Sequence, residues 1–581
     1  MKLNFLKALW AGCLILLCHP SVSAPIEDAL KAYVNAEDAA YAYRWVGSEH
    51  RKYVDYYFLD LDSQQWRTPE EVAPTLWNHW VTLIVPHDTR YNTANLILQG
   101  GVTSNTPPDV RAFSEYETIA RLTGSIQVVL QQVPVQQLVF SGREGALSEN
   151  DLVAYSWRKV METGDPTWSV YLPMTKAAVR SMDCAQAFSL EVLKRNIDSF
   201  MVTGFSKRGA IAWLTAAVDP RVTAVVPGDY NVLFLDQQLE HHFNSYGFYA
   251  EALSSYLKQD IPERIRSPEG QMLKQLVDPI SYQTALTMPH YILNATGDEF
   301  FLPDASEEYI HQIPGEVLQR LVPNTNHTFE GKRPEILQGL IAWYQLQLEH
   351  APRPVISWQI DQYGVLEVSS DQKPMVAKLW QAFNPEARDF RYPVLGKAWK
   401  SRVITPDREG VYRVRLEVPE QGYNAFLVEL TLPGMAGQPQ VYTTSVFITP
   451  DDEPFEVESP LNHPRTLSYW QKQLEYARRG RAVDYEKSDF QKMLPIRVLG
   501  NYIEDLDALS TALNHPGAGA QCTAARLNVQ AEELGWYTTL FVSDGENIKY
   551  WQSYDLAEQY HTEGADGAAS LVCRLLSEYR Q

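Results

Sequence analysis

Runs of consecutive apolar residues, separated by stretches with helical spacing, mark the first 350 residues of the chain. Seven runs predict strands at 81–86, 94–99, 126–133, 200–203, 222–227, 291–296 and 318–323. Several are apolar continuously rather than alternately, which is typical of strands covered on both faces. Helical patterns lie between most of them, at 111–122, 149–161, 172–194 and 333–349. Strands that alternate with helices predict a doubly wound, mostly parallel α/β sheet.

The pattern changes after residue 350. Short strands separated by turn signals are predicted at 355–360, 365–369, 375–381, 402–404, 411–417, 424–432 and 441–448. About seven strands in roughly a hundred residues predict a β-sandwich of the immunoglobulin or fibronectin type. Beyond it, helical spacing around 503–513 and a strand at 536–543 predict a small α+β unit. The expected domains are therefore 25–350 (α/β), 351–452 (β-sandwich) and 453–581 (α+β).

The N-terminal segment has the composition of a secretory signal peptide. Lys2 and Lys7 precede an apolar stretch from Ala8 to Cys18, and small residues follow it. This order is typical of an exported protein, with cleavage near Ser23 or Ala24. The apolar core is too short for a comfortable membrane span. We therefore expect a leader at 1–24 and a secreted or periplasmic protein without a stable membrane span after cleavage.

Two of the five cysteines lie in the expected leader and three in the chain that follows it. Cys13 and Cys18 lie in the leader, where a lipid-attachment site is a less favoured alternative to simple cleavage. Cys184 lies in an apolar helical pattern and is expected to be a buried thiol. Cys522 and Cys573 both lie in the last segment, and an oxidising compartment would allow them to pair. The sequence leaves that possible disulfide open.

Composition narrows the classes of function. The 581 residues are 45% hydrophobic and 21% charged, as in a globular protein. The net charge of −21 and the absence of a basic stripe disfavour binding to nucleic acid or to an anionic membrane surface. Metal-ligand and nucleotide-binding motifs are absent from the sequence, so neither a metal nor another cofactor is expected. The substrate would be a small molecule or a peptide.

Ser206 stands where a predicted strand gives way to a predicted helix, in the segment "GFSKRG". A strand-to-helix turn exposes a serine hydroxyl and aims backbone N–H groups at a reacting oxygen. Gly204 precedes the serine as in G-x-S-x-G, but the second glycine is displaced to Gly209 because Arg208 stands in its place. Alone this pattern is weak, since many ordinary helices begin with a serine.

Two residues downstream strengthen the interpretation of Ser206 as a nucleophile. Asp298 comes just after the predicted strand 291–296, and His327 just after the predicted strand 318–323. An acid and then a histidine in this chain order would orient an imidazole and let it take the serine proton. Glu299 and Asp304 are alternative acids, although neither follows its strand as closely. The sequence thus predicts a Ser206–His327–Asp298 triad.

An oxyanion hole needs backbone N–H donors near the nucleophile. The loop after the strand 94–99 offers Gly100 and Gly101, where missing side chains would let the backbone approach a substrate. The second predicted donor is the N–H of Lys207. Its ammonium is a further candidate for supporting developing negative charge. The alternatives are a plain tight turn for the glycines and a solvated helix start for the lysine.

The stretch at about 229–288 has no strong strand and is predicted to form a helical cap over the carboxyl edge of the sheet. The alternative, which the sequence supports equally, is an ordinary helical segment that packs on the sheet without forming a cap. His241 and His242 have no companions suited to a metal, and we expect them on the cap surface or on a pocket wall. The aromatic residues expected to face a substrate are Phe234, Phe243, Tyr246, Phe248 and Tyr249.

Several long motifs resemble the PhoPQ-activated pathogenicity-related protein family. They are "VTGFSKRGAIAWLTAAVDPRV", "LPMTKAAVRSMD", "NATGDEFFLPDAS", "VPNTNH" and "LWQAFNPEARDFR", and the resemblance covers about residues 30–450. It implies an α/β-hydrolase followed by a β-domain, and an exported protein tied to virulence or envelope stress. Matched motif by motif, the family's serine, acid and histidine fall on Ser206, Asp298 and His327. The serine turn is also similar to that of glucuronoyl esterases.

We therefore expect an exported serine hydrolase that cleaves an ester or peptide bond through an acyl-enzyme. The competing hypothesis is a catalytically silent, secreted binding or regulatory protein built on a hydrolase scaffold. It would act through the cap, the β-sandwich or the C-terminal unit. The sequence leaves open whether a protein or a glycan binds the β-sandwich.

Overall fold

A computed structural model describes residues 26–408, 410–435, 437–455, 528–534, 537–543 and 548–553. The expected leader at 1–24 and the proposed disulfide partners Cys522 and Cys573 lie outside the described residues. Cys184 is a buried free thiol. Within the described ranges, no helix is long and apolar enough to cross a membrane.

The first twelve strands belong to the α/β part of the chain. They are β1 Ala42–His50, β2 Val54–Gln65, β3 Val72–Ala73, β4 Leu76–Pro86, β5 Thr93–Leu98, β6 Gln127–Leu130, β7 Leu138–Phe140, β8 Ala146–Leu147, β9 Ser199–Phe205, β10 Val222–Gly228, β11 His290–Ala295 and β12 Val317–Val322. Nine of them form one sheet in the order β1-β2-β4-β6-β5-β9-β10-β11-β12. The pairings from β6 to β12 are parallel, whereas β1, β2, β4 and β6 pair antiparallel. The short strands β3, β7 and β8 form a separate small sheet.

Helices cover both faces of the large sheet. In chain order they are α1 Ile26–Asn35, α2 Ser114–Thr123, α3 Glu149–Thr163, α4 Tyr171–Phe188, α5 Lys207–Val218, α6 Leu235–Tyr246, α7 Ser254–Leu257, α8 Ile261–Arg264, α9 Pro268–Val277 and α10 Arg333–Leu348. Short 3₁₀ helices lie at Val110–Phe113, Pro166–Trp168, Glu251–Leu253, Pro279–Ala285, Ala305–Glu308 and Ile310–Gln312, and a π-helical turn at Ser189–Leu193 extends α4.

Strand β9 shows how both faces become buried. Phe200 and Val202 pack in one apolar cluster with residues of α4 and α5, whereas Met201 packs in another with residues of α10. Successive side chains of a strand point to opposite faces, so a strand between two helical layers is apolar at every position. This explains the continuous apolar runs and confirms the doubly wound α/β fold class.

The edge of the sheet differs from the sequence expectation, because β1 and β2 were not predicted. Strand β2 alternates buried Val54, Tyr56 and Phe58 with Asp55 and Tyr57, which are more exposed. A strand of an antiparallel pair that exposes one face alternates apolar and polar residues. It therefore contains no continuous apolar run, and a search for such runs does not detect it. The two strands extend the sheet beyond β4 by antiparallel pairing.

Residues after 350 form two antiparallel sheets that are packed together. Their strands are β13 Ile356–Ile360, β14 Val365–Ser370, β15 Val376–Asn384, β16 Lys400–Val403, β17 Val411–Arg415, β18 Tyr423–Leu432, β19 Gln440–Thr443 and β20 Phe447–Thr449, with a short helix α11 at Tyr392–Leu395. One sheet is β13-β14-β17 and the other is β16-β15-β18-β19, with β20 also paired to β18. Buried residues of both sheets, such as Val368 and Val428, share one cluster. The expected sandwich architecture is thus present.

Farther along the chain, three strands form an antiparallel sheet in the order β21-β22-β23. Their bounds are β21 Asn528–Leu534, β22 Tyr537–Ser543 and β23 Ile548–Ser553. Strand β22 coincides with the strand predicted at 536–543. The helix predicted around 503–513 lies outside the described residues. The α+β character of this segment, like the domain boundaries proposed from the sequence, stays a prediction.

The sandwich and the α/β part share an apolar core. Tyr291 of β11 stacks on Trp343 of α10 at a ring-centroid distance of 5.7 Å, and Tyr442 of β19 meets Tyr291 edge-on at 5.7 Å. The Tyr291 hydroxyl donates to the carbonyl of Val441 at 3.1 Å. Since all three rings are fully buried, the two parts are stabilised by the same contacts.

Replacing Tyr442 with alanine should destabilise both parts of the chain. A buried aromatic truncated to alanine costs about 3–5 kcal/mol, so we expect a fall of this size in the free energy of unfolding, measured by urea denaturation. The matched control is Tyr363→Ala, because Tyr363 is 71% exposed and its loss should change stability by less than about 0.5 kcal/mol. Equal effects of the two substitutions would contradict a shared core.

Candidate active site

Ser206 lies between β9 and α5 with φ 58° and ψ −133°, a conformation that few residues other than glycine adopt. The glycines around it permit close backbone contacts. A Cβ on Gly204 would lie 2.0 Å from the carbonyl oxygen of Arg208, and a Cβ on Gly209 would lie 2.7 Å from that of Gly228. The displaced second glycine is therefore needed where the first turn of α5 crosses the end of β10.

His327 follows β12 and bridges the other two predicted residues. Its Nε2 lies 3.0 Å from Ser206 Oγ, and its Nδ1 lies 2.7 Å from Asp298 Oδ2. With the Nδ1 proton donated to the carboxylate, Nε2 is left as the acceptor for the serine hydroxyl, an assignment that follows from the hydrogen-bond network. The structure brings all three side chains into one hydrogen-bonded chain.

Asp298 is held from its other side by the backbone. Its Oδ1 accepts hydrogen bonds from the N–H groups of Phe300 at 2.7 Å and Phe301 at 3.3 Å. The Phe300 and His327 ring centroids are 4.4 Å apart. The carboxylate is thus fixed in place, and an aromatic wall limits the access of water to the imidazole.

Glu299, considered as an alternative acid, has a different role in this geometry. Its Oε2 accepts a hydrogen bond from the backbone N–H of His327 at 2.9 Å and thereby holds the turn that carries the imidazole. Burial, followed by the charge on Asp298, raises the pKa of Glu299 to about 7. Asp304, the other alternative, lies away from His327 and pairs with Arg388 at 2.6 Å.

The predicted oxyanion donors have separate environments. Lys207 is the first residue of α5, so its N–H is one of the donors that no carbonyl of the helix can satisfy. Gly100 makes room for a neighbour, since a Cβ there would lie 2.3 Å from the Arg208 guanidinium. Gly101 has φ 125°, which strongly favours glycine, and its carbonyl accepts from Gln136 Nε2 at 3.1 Å. Their role in an oxyanion hole stays a prediction.

The basic pair after the serine is neutralised by a residue that sequence reasoning missed. Glu149 Oε2 lies 2.6 Å from Lys207 Nζ, and its Oε1 lies 2.7 Å from Arg208 Nη2. Burial opposes the ionisation of Glu149, but the charges of Lys207 and Arg208 outweigh it and lower its pKa to about 2. The Lys207 ammonium is thus already paired with Glu149, and its suggested support of developing negative charge stays a prediction.

Ser206 opens into a cavity of about 690 Å³, part of which is open to solvent. Helix α6 contributes Leu235, Gln238, Leu239 and His242, which share one face through i, i+3, i+4 and i+7 spacing. The aromatic wall comes from Trp157, Tyr171, Tyr230, Tyr256, Phe300 and Phe301. Of these, Phe300 and Phe301 lie two and three residues after Asp298, and this closeness in the sequence was the signal by which they could have been found.

The five aromatic residues predicted to face a substrate do not line this cavity. Phe243 and Tyr246 lie one turn farther along the same side of α6, near its C-terminal end, and Phe243 packs against Tyr249. Tyr246 and Phe248 stack on each other beneath the Arg391 guanidinium. Phe234 precedes α6 and packs against the apolar core. The prediction counted aromatic residues without regard to their position along the chain, and on α6 the residues up to His242 reach the cavity whereas those of the last turn do not.

The two adjacent histidines of α6 are also separated by helix geometry. His242 lines the cavity, accepts a hydrogen bond from the N–H of Ala250 at 3.0 Å, and is kept neutral because burial lowers its pKa well below the usual value. His241 contacts Asp304 at 3.2 Å and Glu453 at 2.5 Å. The pair thus supplies one wall residue and one link between α6 and the segment after the sandwich.

A mostly parallel sheet in this order, with a serine on the turn after β9 and a histidine after the last strand, defines the α/β-hydrolase fold. The chain belongs to the PhoPQ-activated pathogenicity-related protein family, whose model matches residues 30–391. The family membership stated as a resemblance from the sequence motifs is thereby confirmed.

Similar proteins were found by sequence and by structure. The autocrine proliferation repressor protein A of Dictyostelium discoideum is 32% identical over 439 residues, which cover 72% of this chain and 88% of that protein. Acetyl xylan esterase 1 from Thermoanaerobacterium sp. JW/SL YS485 has a TM-score of 0.37 at 14% identity, over 55% of this chain and 92% of its own. The acetyl xylan esterase from Paenibacillus sp. R4 has a TM-score of 0.38 at 15% identity, and the match covers 54% of this chain and 92% of that esterase.

Glu299→Gln should change the pH dependence of stability. The pKa of Glu299 is about 7 in the folded protein and 4.5 is its usual value, so wild-type stability falls as pH rises through this window. Glutamine keeps an oxygen for the His327 N–H but does not ionise. We expect the variant to be more stable than wild type by about 2–3 kcal/mol at pH 8, with the gap closing near pH 4.

The free energy of unfolding, measured by urea denaturation at several pH values, tests this expectation. Glu420→Gln is the matched control because Glu420 is exposed. A difference between Glu299→Gln and wild type that does not vary with pH would contradict the account of this buried carboxyl.

Proposed function

We propose that the protein is an exported serine hydrolase that cleaves an ester or a peptide bond through an acyl-enzyme. The observation that carries the proposal is the hydrogen-bonded chain from Ser206 through His327 to Asp298, which opens into a cavity. A serine hydroxyl needs such a base to become nucleophilic, and the base needs an acid to fix its tautomer.

The steps follow from the positions of these atoms. Ser206 Oγ attacks the substrate carbonyl carbon while its proton passes to His327 Nε2. The N–H of Lys207 and the Gly100–Gly101 loop receive the developing oxyanion. The tetrahedral intermediate then expels an alcohol or an amine, which takes the proton from His327. Water attacks the acyl-enzyme by the same route and releases the acid with the free serine.

The cavity supports a substrate whose bound group is apolar and uncharged. Among the described lining residues Lys207 is the charged one, and Glu149 neutralises it. His242 is neutral, and its Nε2 accepts from the Ala250 backbone. A buried anion or cation in the substrate would lack a partner and would carry a large desolvation cost. An aliphatic or aromatic acyl group fits this lining.

Export is part of the proposal and is supported by the N-terminal segment. Its order of lysines, apolar core and small residues is that of a signal peptide. A secreted or periplasmic site of action would also fit a family whose name refers to PhoPQ activation and pathogenicity. We accordingly include a role linked to virulence or envelope stress.

A second candidate function is a secreted regulator that binds without catalysis. The observation that favours it is the name of the curated relative, a repressor of proliferation, at 32% identity. On this hypothesis the cap or the β-sandwich would bind a protein or glycan partner, and the cavity would not turn over a substrate.

Ser206→Ala separates these two candidates. We expect a fluorophosphonate probe to label the wild-type protein on Ser206 and to leave Ser206→Ala unlabelled, since the probe needs an activated serine. Hydrolysis of a reactive ester should fall by about 10⁴-fold or more. Ser199→Ala is the matched control, because Ser199 begins the same strand and bonds to Thr93 away from the cavity. Equal labelling of wild type and Ser206→Ala, or none, would favour the regulator.

Leu239→Trp tests the assignment of the cavity to the acyl group. Leu239 lines the cavity and is buried, so a larger side chain there removes space for a long acyl chain. With p-nitrophenyl esters of increasing length, kcat/KM for a medium-length acyl group should fall about tenfold while that for acetate changes less than about threefold.

The matched control for this series is Leu190→Trp, since Leu190 is 59% exposed and lies on the surface. A uniform loss across all chain lengths would contradict an acyl pocket at Leu239. So would faster hydrolysis of a uronate ester than of an aliphatic ester by the wild-type protein.

A further inference from the structure

A second carboxyl beside the triad has no part in the mechanism above. Asp229 directly follows β10, the strand between the one that leads to Ser206 and the one that leads to Asp298. It is 2% exposed and has φ 45°, in the left-handed region. Its N–H donates to the carbonyl of Leu293 at 2.7 Å, which ties this strained residue to β11. Such strain in a buried residue is retained where surrounding contacts fix it.

Asp229 lies beside both the triad acid and the imidazole. One carboxyl oxygen of Asp229, one of Asp298 and one ring nitrogen of His327 all lie within 4.8 Å of one another. Asp298 has three hydrogen-bond donors, namely two backbone N–H groups and the imidazole. Asp229 receives one backbone hydrogen bond, from Ala295, and its Oδ1 is buried without a hydrogen-bond partner among the described residues.

The larger number of hydrogen bonds that Asp298 receives decides which of the two carboxyls holds a proton. Two buried carboxyls so close together do not both ionise, and hydrogen bonds to the charged form favour ionisation of the one that receives them. Asp298 therefore carries the charge. Burial, together with the charges of Asp298 and Glu299, raises the pKa of Asp229 well above its usual value.

We propose that Asp229 is a positioning residue that stays protonated beside ionised Asp298 and supplies the carboxylate for His327 when Asp298 is lost. The inference rests on the proposed serine hydrolase. In the intact site, Asp229 adds no second negative charge next to the imidazole. Without the carboxylate of Asp298, Asp229 releases its proton to solvent and accepts the Nδ1–H of His327, so that the charge beside the imidazole is restored.

Four proteins test the proposal: wild type, Asp229→Asn, Asp298→Asn and the double variant. Asparagine matches a neutral aspartic acid in shape, so Asp229→Asn should change kcat/KM for a reactive ester by less than about threefold in the wild-type background. In the Asp298→Asn background the same change should cost more than about thirtyfold, because it removes the last carboxylate. An equal cost in both backgrounds would overturn the proposal, as would a large loss in Asp229→Asn alone.

Infrared spectroscopy tests the protonation state without turnover. At about pH 8.5, above the pKa of about 7 of Glu263 and Glu299 and of about 6 of buried Asp278, the wild-type protein should keep the carbonyl band of a protonated carboxyl. The band should vanish in Asp229→Asn and persist in Ser206→Ala. Its absence from wild type would overturn the inference even if Asp229→Asn folds poorly. Failure of wild type to react with a fluorophosphonate would instead reject the proposed function.

Discussion

The close approach of helix α5 to strand β10 is the constraint on which the rest of the site depends. Gly209 meets the carbonyl of Gly228 where any side chain would clash, and Ser206 takes a positive φ so that the chain can turn between them. The Ser206 N–H donates to the same Gly228 carbonyl at 2.8 Å. The serine hydroxyl is thus directed by backbone contacts toward His327, and the first N–H groups of α5 are left free of helical acceptors.

Buried charges around this turn are neutralised in groups, which leaves the cavity apolar. Glu149 forms ion pairs with Lys207 and Arg208, the two residues that follow Ser206. On the far side of α6, Asp304 pairs with Arg388 and His241. A buried charge without a partner is costly, so these ion pairs specify a fixed arrangement more than they add stability. They also connect α6, which forms a cavity wall, to the loop of the sandwich that carries Arg388.

The sequence predicted the strands of the sheet centre and the residues that follow them, because continuous apolar runs identify buried parallel strands and the chemistry lies at their ends. It missed β2, whose alternating pattern resembles a surface segment. It also missed Glu149 and Asp229, since their roles depend on contacts with residues distant in the chain. The five cap aromatics do not line the cavity, because composition does not specify which part of a helix contacts it.

Formation of a covalent acyl-enzyme is the central claim of this account. The most direct test is peptide mass analysis after rapid acid quenching of the full-length protein mixed with a medium-chain p-nitrophenyl ester. The account predicts a transient mass increase equal to the acyl group on the peptide that contains Ser206, accompanied by a burst of p-nitrophenol. An acyl group on another residue, or ester turnover without any acylated peptide, would contradict it.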